Sequence, residues 1–133
     1  MLNLRLVGAV ALVDLDGRVL LTKRPKGKHL EDLWEFPGGK IEKGEIPKEA
    51  VIRELKEELD ISVDESCLAP VSFSSHDYAD FHLVLLLYVC RVWNGTPRGV
   101  EGQELKWING LKLKEFPMPP ADIPLVAAIR DLL

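Results

Sequence analysis

Apolar residues change rhythm several times along this chain of 133 residues, and each change marks an element. Leu2, Leu4 and Leu6 alternate with polar neighbours, the two-residue period of a strand, and Val7 to Val13 continues as an apolar run. Asp14-Leu15-Asp16-Gly17 interrupts it, and Arg18 to Lys23 is apolar again at Val19, Leu20 and Leu21. Asp-Gly between two such runs predicts a hairpin. Residues 24–40 hold two prolines and three glycines and read as an ordered loop anchored by Trp34 and Phe36. From Pro47 to Leu59 the period lengthens. Val51, Ile52, Leu55 and Leu59 fall on one stripe at about 100° per residue, which predicts an amphipathic helix with Pro47 in its first turn. Ile46 offers that helix no side-chain cap. Strands are predicted near 70–75, 82–93 and 104–108, and a terminal helix from Ile123 to Leu133. The sum is a mixed sheet with one central and one terminal helix, a single α/β domain over residues 1–133.

Composition narrows the function. Apolar residues make up 47% and charged residues 29%, which suits a packed core and argues against disorder. The net charge of -4 lacks the basic stripe that a nucleic-acid polymer requires, but leaves room for a small anionic substrate held by local cations or a metal. Cys67 and Cys90 show no metal-binding or redox spacing, and the lack of a disulfide framework fits a reducing cytoplasm. An arginine, Arg5, interrupts the apolar N-terminus, and the longest uncharged run, Leu83 to Cys90, is too short to cross a bilayer. The expectation is a cytoplasmic protein without a membrane partner, working as a monomer or weak dimer.

The helix carries an oddity. In Arg53-Glu54-Leu55-Lys56-Glu57-Glu58-Leu59, three acids stand at i, i+3 and i+4, beside the apolar stripe, where like charges oppose the helix by a few tenths of a kcal/mol per pair. A solvated face is one explanation, because Glu49–Arg53 and Arg53–Glu57 are opposite-charge i,i+4 pairs. The preceding Glu35-Phe36-Pro37-Gly38-Gly39-Lys40 favours another. Two glycines let the backbone approach a ligand closely, and a hard divalent cation takes carboxylates, water and substrate phosphates. Lys40 is not a P-loop lysine, since no Ser or Thr follows it and no Gly stands five residues before Gly39.

The span from Gly39 through Glu45 to Arg53-Glu54-Leu55-Lys56-Glu57-Glu58-Leu59-Asp60-Ile61 resembles the Nudix box, G-x5-E-x7-R-E-U-x-E-E-x-G-U, over residues 39–61. Asp60 departs from the pattern, standing where the family has Gly; Asp tolerates the left-handed conformation that such a position takes. Residues 34–45 (WEFPGGKIEKGE), Glu101-Gly102-Gln103 and Pro119-Pro120-Ala121-Asp122 are similar to the MutT subgroup of nucleoside triphosphate pyrophosphohydrolases.

The resemblance implies a Nudix α/β/α sandwich, a Mg²⁺ cofactor with Mn²⁺ as a substitute, and hydrolysis of a nucleoside triphosphate to monophosphate and pyrophosphate. Carried over by position, the metal ligands are Glu54, Glu57, Glu58, Glu101 and the Gly38 carbonyl. Glu54 or Glu101 handles the attacking water, Arg53 and Glu45 orient loop and helix, and Arg24 meets phosphate. Phe36 and Tyr78 line the base slot or belong to the core, while His76 and His82 are structural or solvent-facing. Asp122 stands where the bacterial MutT type has Asn, and it reads the base, caps the last helix, or does both. The substrate expected first is 8-oxo-dGTP, in a nucleotide-sanitising role allied to DNA repair. The alternatives are a cytosine nucleotide or a broad dNTP range, or a non-catalytic nucleotide sensor.

Overall fold

The computed structural model describes residues 2–28 and 30–133. Strand β1 (Leu4–Leu12) is the spine, because both faces of its second half, from Gly8 on, are covered. Ala9, Ala11 and Val13 point into one apolar cluster and Val10 and Leu12 into another, so the run reads as continuously apolar. Strand β2 (Arg18–Lys23) shares this property, with Val19 and Leu21 on one side and Leu20 on the other.

The segment expected to be loop contains two short strands, β3 (Trp34–Glu35) and β4 (Gly38–Lys40). Their shortness and their glycines conceal them from periodicity. Helix α1 (Pro47–Leu59) follows, then β5 (Ala69–Asp77), β6 (His82–Cys90), β7 (Leu105–Asn109) and helix α2 (Ile123–Arg130). The strand expected over 82–93 stops at Cys90, and the terminal helix ends at Arg130 rather than Leu133.

Two sheets form where one was expected. A mixed four-stranded sheet runs β4-β1-β6-β5, with β1 and β6 parallel, and an antiparallel three-stranded sheet runs β3-β2-β7. The predicted hairpin is therefore a corner. Val13 and Val19 make a single bridge, Asp14 Oδ1 accepts from the Arg18 amide at 2.7 Å, and the strands on either side go to different sheets. Helix α1 buries Ala50, Val51, Leu55 and Leu59 against one face, and α2 buries Leu125, Val126 and Ile129 against the other. Each large aliphatic side chain so buried contributes about 1.5–3 kcal/mol. Among the described residues no helix is long and apolar enough to cross a membrane.

The ends of α1 explain two exceptions to local rules. Ile46 gives no side-chain cap, but the Glu49 carboxylate accepts from the Ile46 amide at 2.9 Å, which ties the first turn. Asp60 ends the helix in the left-handed conformation, φ 56° and ψ 40°, as the glycine it replaces would. Its carboxylate also accepts from Lys56 and Arg98, both at 3.2 Å, and these contacts favour the charged form and hold its pKa below the ordinary value.

Strand β4 lies hard against β1. A Cβ on Gly38 would stand 2.1 Å from the Gly8 carbonyl oxygen and 2.6 Å from the Ala9 Cα, both backbone atoms that cannot step aside. Gly38→Ala should therefore lower stability by about 2 kcal/mol or more, read as a shift in the urea midpoint at unchanged slope.

Candidate active site

The β4–α1 connection folds the acids of α1 back over the glycine strand, and Arg53 is the fastener. Its Nε and Nη2 donate to the two oxygens of Glu45 at 2.8 and 3.0 Å. Its Nη1 donates to Glu54 at 2.8 Å and to Glu57 at 3.4 Å, and Nη2 also reaches the Lys40 carbonyl at 3.0 Å. One guanidinium thus joins the turn, the strand and two helix acids, a fork geometry that lysine lacks. The Glu45 hydrogen bond leads the causes that raise the Arg53 pKa further, and the same bond holds Glu45 below the ordinary carboxylate range.

Glu54 fills the space over Gly39. A Cβ there would meet the Glu54 carboxyl carbon at 2.3 Å, so only glycine leaves room for the acid. Glu58 is the next acid along this ridge. Burial, then a hydrogen bond to Glu54 and the negative charges of Glu54, Glu35 and Glu101, push its carboxyl up to about 9. Glu101 is brought close by Gln103, whose Nε2 donates to the Glu58 carbonyl at 3.0 Å and whose Oε1 accepts from the Glu101 amide at 2.9 Å. The structure therefore gathers Glu54, Glu58 and Glu101, whereas Glu57 lies exposed on the Arg53 side of the ridge.

This donor set fits a hard cation. It offers carboxylate oxygens that repel one another and hold a proton at neutral pH, and a divalent ion would replace that proton and relieve the repulsion. Among the described residues no group of three or more His, Cys, Asp or Glu side chains is arranged to hold a metal ion by itself. A site of one or two carboxylates completed by water and phosphate is the Mg²⁺ pattern.

Two cavities adjoin the ridge and share Arg24 and Glu35. The smaller, about 110 Å³, is lined by Glu58, Glu101, Lys23 and Lys28 as well as the shared pair. The larger, about 310 Å³, has Val7, Ala9, Leu83 and Leu85 as an apolar floor and Phe36, Tyr78 and Asp122 on its walls. Phe36 is at once core and lining, being buried in the α2-side cluster. Tyr78 packs 5.2 Å from the Phe81 ring and 4.7 Å from His76, between centroids. His76 meets the Tyr78 ring edge-on, and His82 pairs with Asp77 at the end of the β5–β6 hairpin.

Asp122 does not cap α2. It begins the helix with helical dihedrals and its side chain makes no capping hydrogen bond. Its Oδ2 instead accepts from the Phe36 amide at 3.2 Å, across the cavity wall. Asp122 is 5% exposed, and burial, followed by the charge of Glu35, pushes its carboxyl up to about 8 against the opposing Phe36 hydrogen bond and Arg24.

Glu35 is the site residue that pattern reading passed over. Its carboxylate takes both contacts from Arg24 Nη1, at 3.1 Å each, and it stands between the cavities while burial raises its pKa. The available signal was an acid alternating with two buried aromatics in Trp34-Glu35-Phe36.

The NUDIX domain family profile matches residues 8–128. The chain is 35% identical to the 8-oxo-dGTP diphosphatase of Escherichia coli, over 88% of this chain and 89% of the relative. It is also 35% identical to the CTP pyrophosphohydrolase of the same organism, over 92% and 89%. Its fold superposes on the crystal structure of the MutT NUDIX hydrolase from Burkholderia pseudomallei with a TM-score of 0.84 at 31% identity, covering 95% of this chain and 98% of that one. The chain therefore belongs to the NUDIX domain family and is a MutT-like Nudix hydrolase.

Proposed function

We propose that the protein hydrolyses nucleoside triphosphates to the monophosphate and pyrophosphate, with an oxidised guanine nucleotide such as 8-oxo-dGTP as the preferred substrate. The observation that carries this reading is the adjacency of the two cavities. A charged one, lined by Glu35, Glu58 and Glu101 and by Lys23, Arg24 and Lys28, suits metal and phosphates and shares a wall with an apolar-floored one of a size for a base.

Glu54, Glu57, Glu58 and Glu101, with the Gly38 carbonyl, would hold the divalent ion, Mg²⁺ or in its place Mn²⁺. When bound, that ion neutralises charge on the phosphates and activates water. Arg53 and Glu45 keep Glu54 and Glu57 in place. Arg24 presents its guanidinium at the junction of the cavities, oriented by Glu35, where a phosphate chain would pass. Glu54 or Glu101 would take the proton of the attacking water; Glu54 is held by Arg53, and Glu101 sits on a loop fixed by Gln103.

Asp122 supports the choice of base. Protonated, a carboxyl both donates and accepts, as the amide of an asparagine does. With Oδ2 engaged by the Phe36 amide, the other oxygen is left to face the base. A cytosine nucleotide is the second reading, favoured by the equal identity to the CTP pyrophosphohydrolase.

Glu57→Gln and Glu58→Gln should each lower turnover by roughly 100-fold or more with the fold intact. Gly39→Ala should share that loss at little cost in melting temperature, because its Cβ displaces a flexible side chain rather than backbone. A screen of Mg²⁺-dependent pyrophosphate release over normal and oxidised nucleotides checks the assignment; full turnover in both glutamine variants would refute it.

The raised Asp122 pKa sets a pH signature. The native state keeps the proton up to about pH 8, whereas the unfolded chain releases it near the ordinary value of 3.8, so stability falls as pH rises through that window. Asp122→Asn should remove this slope, giving a variant whose advantage in stability over the parent grows from pH 4 to 8. Preference for 8-oxo-dGTP over dGTP should decline in the parent as pH passes about 8 and stay level in Asp122→Asn. A preference that is flat with pH in both proteins refutes the protonated-acid reading.

A further inference from the structure

Arg5 breaks the pattern of its own strand. Along β1, Arg5, Val7, Ala9 and Ala11 share one face, and every member but Arg5 is apolar. In the parallel register Arg5 sits opposite Leu83 and Val7 opposite Leu85, so Arg5 extends the apolar floor of the larger cavity to its rim. A charge on that line is not explained by the core, nor by the carboxylate ridge, which lies on the α1 side.

Its surroundings are equally specific. The guanidinium carbon lies 4.0 Å from the centroid of the Phe81 ring. Phe81 continues into Tyr78 along the same wall, and Tyr78 is backed by His76. Among the described residues no carboxylate lies within ion-pair reach of Arg5. Arg24, which also lines the cavity, is by contrast tied to Glu35. Arg5 thus brings to the rim a fixed positive charge and a set of N–H donors, held flat by an aromatic face.

We propose that Arg5, stacked on Phe81, is a specificity-determining residue that donates to a carbonyl oxygen on the edge of the bound base. The inference rests on the nucleotide reading of the cavity and extends it to a residue outside the Nudix box. A guanidinium has no acceptor, so its partner must be an acceptor, and a charged donor discriminates strongly once water is excluded. The substrate class selected is nucleotides of carbonyl-bearing bases, such as guanine, 8-oxoguanine, cytosine and thymine, over adenine, which offers only ring-nitrogen acceptors. Asp122 and Arg5 would then grip one base from two walls.

The test is binding of nucleoside monophosphates to the metal-free protein by calorimetry, which needs neither the ion nor turnover. Arg5→Ala should weaken dGMP, 8-oxo-dGMP and dCMP by roughly tenfold while leaving dAMP within twofold. Arg5→Lys, which keeps charge without the planar fork, and Phe81→Leu, which removes the stacking face, should fall between parent and Arg5→Ala. An equal loss for dAMP and for ribose 5-phosphate would mark Arg5 as a phosphate contact and overturn the proposal, as would unchanged affinity for all four. Either result leaves nucleotide hydrolysis standing; a parent protein that turns over no nucleoside triphosphate in the Mg²⁺ screen overturns both readings.

Discussion

Everything at the site hangs on one guanidinium. Arg53 is the only residue described here that touches the turn after β4, the β4 backbone and two acids of α1 together. Without it, Glu54 and Glu57 would repel and the β4–α1 turn would have no side-chain tie to the helix. With it, Glu54 lies over Gly39 and the acid ridge faces the smaller cavity. The geometry needs arginine because three separate carboxylates and a carbonyl are met by a rigid fork of donors.

Around that fastener the protein separates two electrostatic environments within one cleft. On the α1 side, carboxylates are crowded until Glu58 holds a proton, a state a cation would relieve. On the α2 side, an apolar floor surrounds one buried acid, Asp122, which burial likewise pushes up, with the charge of Glu35 as the next cause. Arg24 and Glu35 stand between them as a hydrogen-bonded pair, and the charge of Glu35 acts on the acids of both sides. The parallel β1–β6 pair makes this separation possible, since it is covered by a helix-bearing layer on each face.

The fold accommodates departures from local rules around α1. Ile46 does not cap, and Glu49 substitutes for it; Asp60 is not glycine, yet adopts the left-handed conformation and gains contacts with Lys56 and Arg98. Gly38 and Gly39 are adjacent but required for different reasons, one by backbone against β1 and the other by the carboxylate of Glu54.

Much was legible in the chain itself because it is local. The period of α1, the continuous run of β1 and the spacing of Gly39, Glu45, Arg53, Glu54, Glu57 and Glu58 are all written within 60 residues. Helical geometry then places the acids on one ridge without help from the rest of the fold. Short-range patterns do not report what distant segments do to one another. Whether Asp14–Gly17 closes a hairpin or turns a corner depended on β7, which takes β2 into a second sheet. Strands as short as β3 and β4 exist only because β2 and β1 offer them partners. Asp122 looked like a helix cap from its neighbours in sequence, but the Phe36 amide, 86 positions away, claims its carboxylate. Glu35 and Arg5 were ordinary charges until the sheets carried them to one cavity. The sequence by itself determined the chemistry of the carboxylate ridge, because helix periodicity is intrinsic to the backbone. Tertiary structure alone decided what lines the larger cavity, because burial and its effect on charge arise only when remote segments meet.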